Sequence, residues 1–346
     1  MKPHVISLLG ILTAVATAAT VPFESPADLS AYNVTNFNGT LSQAAGIGVG
    51  SPSTGGLRYQ GPNTSVERGA IVRRTDSVTP DHGIWTTSIL LNPKEFDNGS
   101  SDKTEIRLGF ASTDNTSTSK PWEYFNKLNN SVSVKLKAEG ANSVGGFECE
   151  LTHFVTGESK LETLTANASP YFNDWLRLSL KLVRAGSAGF TAHYQLESLG
   201  ADGTSAPAVI LTSTTHALAN STLAGASTIH TGFSIKGEKS RTNAVYLDDH
   251  VASFEAVAPD APSNAAPASV AAQSVTAEWQ APSGIIPSSY VLEVTTAADN
   301  FAPGTFISAT GATGQATGIS VATSAVLRRC GSCRAQPHRD AAQRRQ

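Results

Sequence analysis

The sequence predicts an all-β chain dominated by one large antiparallel β-sandwich. Three observations carry this. First, Leu176, Leu178, Leu180 and Leu182 alternate with Arg177, Ser179 and Lys181. Successive strand side chains point to opposite faces, so this segment has one apolar face and one wet face. A helix would scatter the four leucines around its axis. Second, the same alternation recurs at strand length along most of the chain, and no 3.6-residue stripe runs longer than two turns. Third, charged residues are only 15% of the composition. Gly, Ser, Thr, Asn and Ala fill the gaps, a turn-rich mix without the Lys/Glu load of long surface helices.

The chain opens with Lys2 and an apolar run from Val5 to Val15, followed by small residues around Ala14–Ala18. Residues 1–18 read as an export signal. The run is shorter than the roughly 20 apolar residues a membrane span needs. The mature chain is therefore expected to be secreted or held in the cell envelope, with no membrane span.

Strand segments follow in order. Trp85, Thr87, Ile89 and Leu91 oppose Ile84, Thr86, Ser88 and Leu90, with both faces fairly apolar, as suits a central strand. Ile106, Leu108 and Phe110 oppose Glu105 and Arg107. Val132, Val134 and Leu136 oppose Ser133, Lys135 and Lys137. Phe147, Cys149 and Leu151 oppose Glu148 and Glu150. After the leucine strand come Phe190, Ala192, Tyr194 and Leu196, then Ile229, Thr231, Phe233 and Ile235. The last set is Val245, Leu247, Asp249 and Val251. Asn98-Gly99, Gly145-Gly146, Ala201-Asp202-Gly203 and Lys236-Gly237 supply turns between them.

Past Phe254 the composition shifts to a Pro/Ala-rich stretch, Ala256–Ala268, read as a linker and first edge strand. Two more alternating strands follow, ending in Trp279 and running from Ser289 to Val294. From Arg328 the alternation stops. Residues 328–346 hold six arginines and one acid, and look like an out-of-frame, non-native tail, the alternative being a genuine basic tail for an anionic surface. Without them, 19 basic residues face 27 acidic ones, so the rest is mildly acidic. No clustered Lys/Arg face suggests nucleic-acid binding. Cys149 is alone, and Cys330/Cys333 form a CxxC with no second pair, which is weak evidence for zinc or redox chemistry.

The segments GIWTTSILLNP (83–93), EIRLGFAS (105–112), DWLRLSLKLV (174–183) and VYLDDHVASFE (245–255) resemble the concanavalin A-like lectin/glucanase fold, including its laminin-G-like members. The resemblance covers residues 21–258 and implies an antiparallel jelly roll. The Pro-rich entry, Trp279, APSG and SYVLEV resemble a fibronectin type III domain over 259–327, which implies a small Ig-like sandwich. It stays incomplete, because its last strands are missing where the tail begins.

A fold of this kind hosts lectins, hydrolases, lyases and spacers, so function must come from a site. Glycosidases of the fold carry paired carboxylates, about 5 Å apart when configuration is retained. The nearest acids here are Glu105, Glu148 and Glu150. Arg107 stands where a supporting Asp would be needed after Glu105. Glu148 and Glu150 share a face about 7 Å apart, as solvated acids on any outer strand face also do. The Glu105 strand also resembles the RTELR strand of alginate lyases, without their Tyr- and His-bearing partner motifs. No Gly-x-Ser-x-Gly, HxH or HExxH spacing occurs.

Trp122 and Tyr124, in a polar stretch with Phe125, are the candidate sugar-contacting aromatics; an aromatic cluster after a proline is also an ordinary loop anchor tucked into the core, and that reading is favoured. Asp249 falls on an apolar face, where a carboxylate needs a partner or an ion. Pairing of the first and last strands would bring Glu24 or Asp28 near Asp248 and Asp249. Carbohydrate-binding modules of similar architecture use such an FE…DD set, so the resemblance implies a structural calcium. Eight Asn-x-Ser/Thr sequons (Asn33, Asn38, Asn63, Asn98, Asn115, Asn129, Asn167 and Asn220) bear on the protein only in a host that glycosylates.

These readings lead to one expectation: an exported, noncatalytic protein that binds extracellular glycan or polysaccharide, or mediates adhesion, through the jelly roll. Two alternatives stand beside it, a polysaccharide-degrading enzyme of the same fold and a purely structural envelope component.

Overall fold

The computed structural model describes, for the large unit, residues 17–50, 54–60, 68–75, 83–93, 104–115, 120–125, 130–138, 146–154, 158–185, 189–219, 221–237 and 245–255. Elsewhere it describes the backbone of strands at 7–11, 263–271, 274–280, 289–295, 306–311 and 319–322. The chain divides into two compact units, one of residues 15–256 and one of residues 1–14 with 257–346.

In chain order the first strands are β1 (Ser7–Ile11), β2 (Thr17–Val21), β3 (Tyr32–Phe37), β4 (Thr40–Ala45), β5 (Gly55–Gln60), β6 (Arg68–Arg74) and β7 (Ile84–Asn92). Next come β8 (Thr104–Ala111), β9 (Val132–Ala138), β10 (Gly146–Phe154), β11 (Glu158–Asn167), β12 (Leu176–Ala185) and β13 (Gly189–Ser198). Then follow β14 (Ala208–Thr212), β15 (His216–Ala219), β16 (His230–Gly237) and β17 (Val245–Glu255). The smaller unit holds β1 with β18 (Ser263–Ala271), β19 (Ser274–Gln280), β20 (Ser289–Thr295), β21 (Phe306–Gly311) and β22 (Ile319–Ala322).

The large unit is an antiparallel β-sandwich. One sheet runs β11-β10-β9-β8-β16-β6-β3. The other runs β14-β13-β12-β7-β17-β5-β4, with β15 paired to β13 and β2 to β17. The chain crosses between the sheets repeatedly, as a jelly roll does. The period-two pattern explains the packing. Leu176, Leu178, Leu180 and Leu182 on β12 are fully buried between the sheets, facing Leu108, Phe110, Val134 and Leu136 of the opposite layer in one core. Each such leucine contributes about 1.5–3 kcal/mol of burial. Trp85 lies at the centre, its ring 4.7 Å from that of Phe190 and 5.7 Å from that of Phe110.

Polar ties cross this apolar layer: Tyr194 Oη donates to the Cys149 carbonyl at 3.3 Å, and a second is centred on His250. Tyr32 Oη, from the seven-stranded sheet, lies 2.7 Å from His250 Nδ1, and Thr87 Oγ1 lies 3.1 Å from His250 Nε2. All three residues are buried, and both ring nitrogens of His250 are engaged.

The expected pattern fails on β17. A register shift against β7 sets Asp248 opposite Leu90 but Val251 opposite Ser88. The two residues between oppose Ile89 alone, and Asp249 takes a φ of 38°. This bulge reverses parity. Val245 and Leu247 face the core before it, and His250, Ala252 and Phe254 face the core after it. Asp249 and Val251 were expected on that face; both are instead half-buried, and Asp248 is the buried acid.

The smaller unit holds two three-stranded antiparallel sheets, β1-β20-β21 and β18-β19-β22. The backbone of Ser7–Ile11, within the apolar run of the expected export signal, pairs with β20. The side chain of Trp279, Cys330, Cys333 and the tail lie outside the described residues. Cys149 is buried and free, and burial pushes its thiol well above the usual range. No helix among the described residues is long and apolar enough to cross a membrane.

Candidate functional site

The outer face of the seven-stranded sheet gathers most of the candidate residues. On β8, Ile106, Leu108 and Phe110 face the core, so Glu105 and Arg107 face outward. The same alternation turns Ser234 and Lys236 outward on β16, Lys135 and Lys137 on β9, and Glu148 and Glu150 on β10. Strand register then lines them up across the sheet. One row runs Glu148, Lys137, Glu105, Lys236; the next runs Glu150, Lys135, Arg107, Ser234. Opposite charges directly across antiparallel strands attract.

Glu150 is fully buried, with Lys135 Nζ at 3.1 Å and Lys160 Nζ at 2.6 Å. Burial alone would raise its carboxyl. Hydrogen bonds and charge from the two lysines outweigh that and hold it below the usual carboxylate range. Glu148 lies 3.5 Å from Lys137. Arg107 donates through Nη1 to Thr152 Oγ1 at 3.0 Å and to Ser133 Oγ at 3.4 Å. Glu148 and Glu150 are thus engaged by lysines rather than set against each other as a catalytic pair. A general acid needs the opposite shift, upward.

The segment Lys120–Phe125 lies over this face. Trp122 sits on Gly69, where any Cβ would overlap its indole, and packs 5.8 Å from Phe37. Phe125 sits on Gly109, where a Cβ would come within 3.1 Å of its ring. Ser234 Oγ donates to the Trp122 carbonyl at 3.1 Å, and Ser133 Oγ to that of Phe125 at 2.8 Å. Tyr124 is 1% exposed, clusters with Ile71, Ala111 and Phe125, and donates to the Thr113 carbonyl at 3.1 Å. Burial raises its hydroxyl well above the usual range. Tyr124 therefore anchors the loop and offers no ring face to a ligand.

Trp122 is 7% exposed, and its rim joins Glu105, Arg107, Glu123, Ser234 and Lys236 around a depression of about 90 Å³. The sequence singled out Glu105 and Trp122. It did not single out Lys236 or Ser234, whose place follows from the β16–β8 pairing.

A second cluster lies where β2 pairs with β17. Asp248 accepts from the Val49 N–H at 2.8 Å and the Asp249 N–H at 2.9 Å. Glu24 accepts from the Gly55 N–H at 2.8 Å. Burial, aided by the charges of Asp249 and Glu24 and opposed by the two amides, pushes the Asp248 carboxyl up to about 7. Burial and then Glu24 also raise Asp249. The donor set is all hard oxygen with excess negative charge, a chemistry that suits calcium. The oxygens named above face backbone amides, however. Among the described residues no three acidic, His or Cys side chains are grouped to hold a metal.

No family model matches the sequence, and no curated protein does. Among solved structures, the lectin UEA-II complexed with galactose shares 9% identity over 70% of this chain and 99% of its own, with a TM-score of 0.45. The metal-free lectin I-B4 from Griffonia simplicifolia shares 12% over 68% and 99%, with a TM-score of 0.42. A carbohydrate esterase from the Shiga toxin-encoding bacteriophage phi24B shares 10% over 70% and 100%, with a TM-score of 0.40.

Proposed function

We propose that the protein is exported and binds extracellular glycan without cleaving it, using the outer face of the seven-stranded sheet. The depression beside Trp122 carries this reading. Glu105 and Glu123 can accept hydrogen bonds from sugar hydroxyls, Arg107 and Lys236 can donate them, and the indole rim offers apolar contact to ring C–H groups. At about 90 Å³ the depression is far below the roughly 300 Å³ of pockets that enclose a whole ligand. It admits one substituent, with the rest of the glycan lying across the sheet. The lysine-engaged state of Glu148 and Glu150 favours binding over hydrolysis. A structural calcium beside Glu24, Asp248 and Asp249 belongs to the same reading, supported by the unbalanced charge there; these carboxylates face backbone amides and do not converge on one point, so binding would require them to turn toward the ion, which would take no part in sugar chemistry.

A polysaccharide pull-down with the full chain tests this. The expected result is retention without release of reducing or unsaturated ends, weakened about tenfold in Lys236→Ala, the loss expected for one charge-assisted hydrogen bond. Product release that disappears in Glu105→Gln would make the protein an enzyme. No retention on any glycan would leave a purely structural or adhesive envelope role.

A further inference from the structure

We infer that Asn33 and Asn38 carry N-linked glycans, and that these glycans shield the edge that β3 and β4 form among the described residues. The inference rests on the proposed export of the chain.

All eight sequons lie between residues 33 and 220, within the large unit; none of the three asparagines after Asn220 is in one. Asn33, Asn38, Asn115 and Asn167, the four sequon asparagines within the described residues, are all exposed. A glycan is added before folding finishes, so a site is usable only if the folded chain leaves its side chain in solvent.

Two of the four sit where a sandwich is vulnerable. β3 ends the seven-stranded sheet and β4 ends the nine-stranded one, so both edges of one side are consecutive in the chain. An edge strand offers unpaired N–H and C=O groups to other chains, and proteins blunt such edges with charge, proline or a cover. β3 reads YNVTNF and β4 reads TLSQAA, with no charged residue and no proline in either. On the opposite side, edge strand β11 carries Glu158, Lys160 and Glu162, while β14, the other edge of the nine-stranded sheet, reads AVILT and is likewise uncharged. Glu162 also accepts from Thr214 N–H at 3.2 Å and lies 3.1 Å from His216, clasping β11 to the segment after β14.

On the β3/β4 side, Asn33 faces outward from β3 between the inward Tyr32 and Val34. Asn38 sits in the β3–β4 turn with a φ of 52°, its side chain exposed. A bulky hydrated glycan on each would occupy the solvent through which another strand must approach. In the transfer, the Asn Nδ2 attacks C1 of a lipid-linked oligosaccharide pyrophosphate. The N–C1 bond forms, the C1–O bond breaks, the lipid pyrophosphate leaves, and the amide proton passes to the transferase's base.

The test expresses the full chain with its own N-terminus in a cell that performs N-glycosylation. Protein recovered from the medium is treated with peptide N-glycosidase F in heavy-oxygen water and mapped by mass spectrometry. Expected is heavy-oxygen Asp at positions 33 and 38, and self-association in the Asn33→Gln/Asn38→Gln double variant on sedimentation while the parent stays monodisperse. Unmodified Asn at both positions in exported protein overturns the inference, and a monodisperse double variant overturns the shielding role. The N-terminal residue of the recovered chain reads export separately. A chain kept inside the cell with Met1 intact defeats the export reading, and this site with it.

Discussion

Glu150 shows how far a side chain's role depends on its neighbours. In the sequence it is an acid on a strand, two residues from another acid. In the fold it accepts from two lysines and is ionised more readily than a free carboxylate. Its contribution to stability is therefore fully present above the ordinary glutamate value of 4.5 and is lost as pH falls through its lower folded-state value. Glu150→Gln should cost about 2 kcal/mol at pH 7, with the difference shrinking in acid. Urea unfolding of both proteins across that range checks this, and an undiminished gap at low pH would mean the role is steric. At Asp248 and Asp249 the opposite imbalance holds, since burial and like charge oppose ionisation. If calcium balances it, chelation should lower the melting temperature of the parent and leave Asp249→Asn unchanged. No chelation effect on the parent removes calcium from the account.

At the scale of elements, the strands themselves were legible because alternation is local. The leucines of β12 needed no knowledge of their partners to be placed inside. What alternation could not supply was anything set by a second segment. The β17 bulge reverses which residues face the core, and it is visible only against the β7 register. The anchoring of Trp122 and Tyr124 depends on Gly69 and Gly109, distant in sequence and ordinary in appearance. Gly69→Ala should destabilise the fold by about 1–3 kcal/mol, as overpacking does, and should also weaken glycan retention by displacing Trp122. Unchanged melting and unchanged retention would show that the indole is free to move aside.

Across the large unit as a whole, two layers packed through their apolar faces leave chemistry to the outer surfaces and the edges. The charge rows on the seven-stranded sheet were written in the sequence as scattered Lys and Glu; only strand order made them rows. That is why the sandwich was readable from one chain and the proposed glycan-binding face was not. The retention experiment therefore interrogates a property of the assembled sheet, and variants on β8 and β16 should affect it together despite lying over a hundred residues apart.

The buried contact of His250 with Tyr32 and Thr87 has a consequence for how the layers find each other. Greasy surfaces slide past one another at little cost, so many stackings of comparable energy compete during collapse. Sliding the layers by one residue would strand the Tyr32 hydroxyl and His250 Nδ1 in oil, while Thr87, on the same sheet as His250, would keep its contact. Like a dowel between planks, the imidazole favours the alignment in which it meets the Tyr32 hydroxyl.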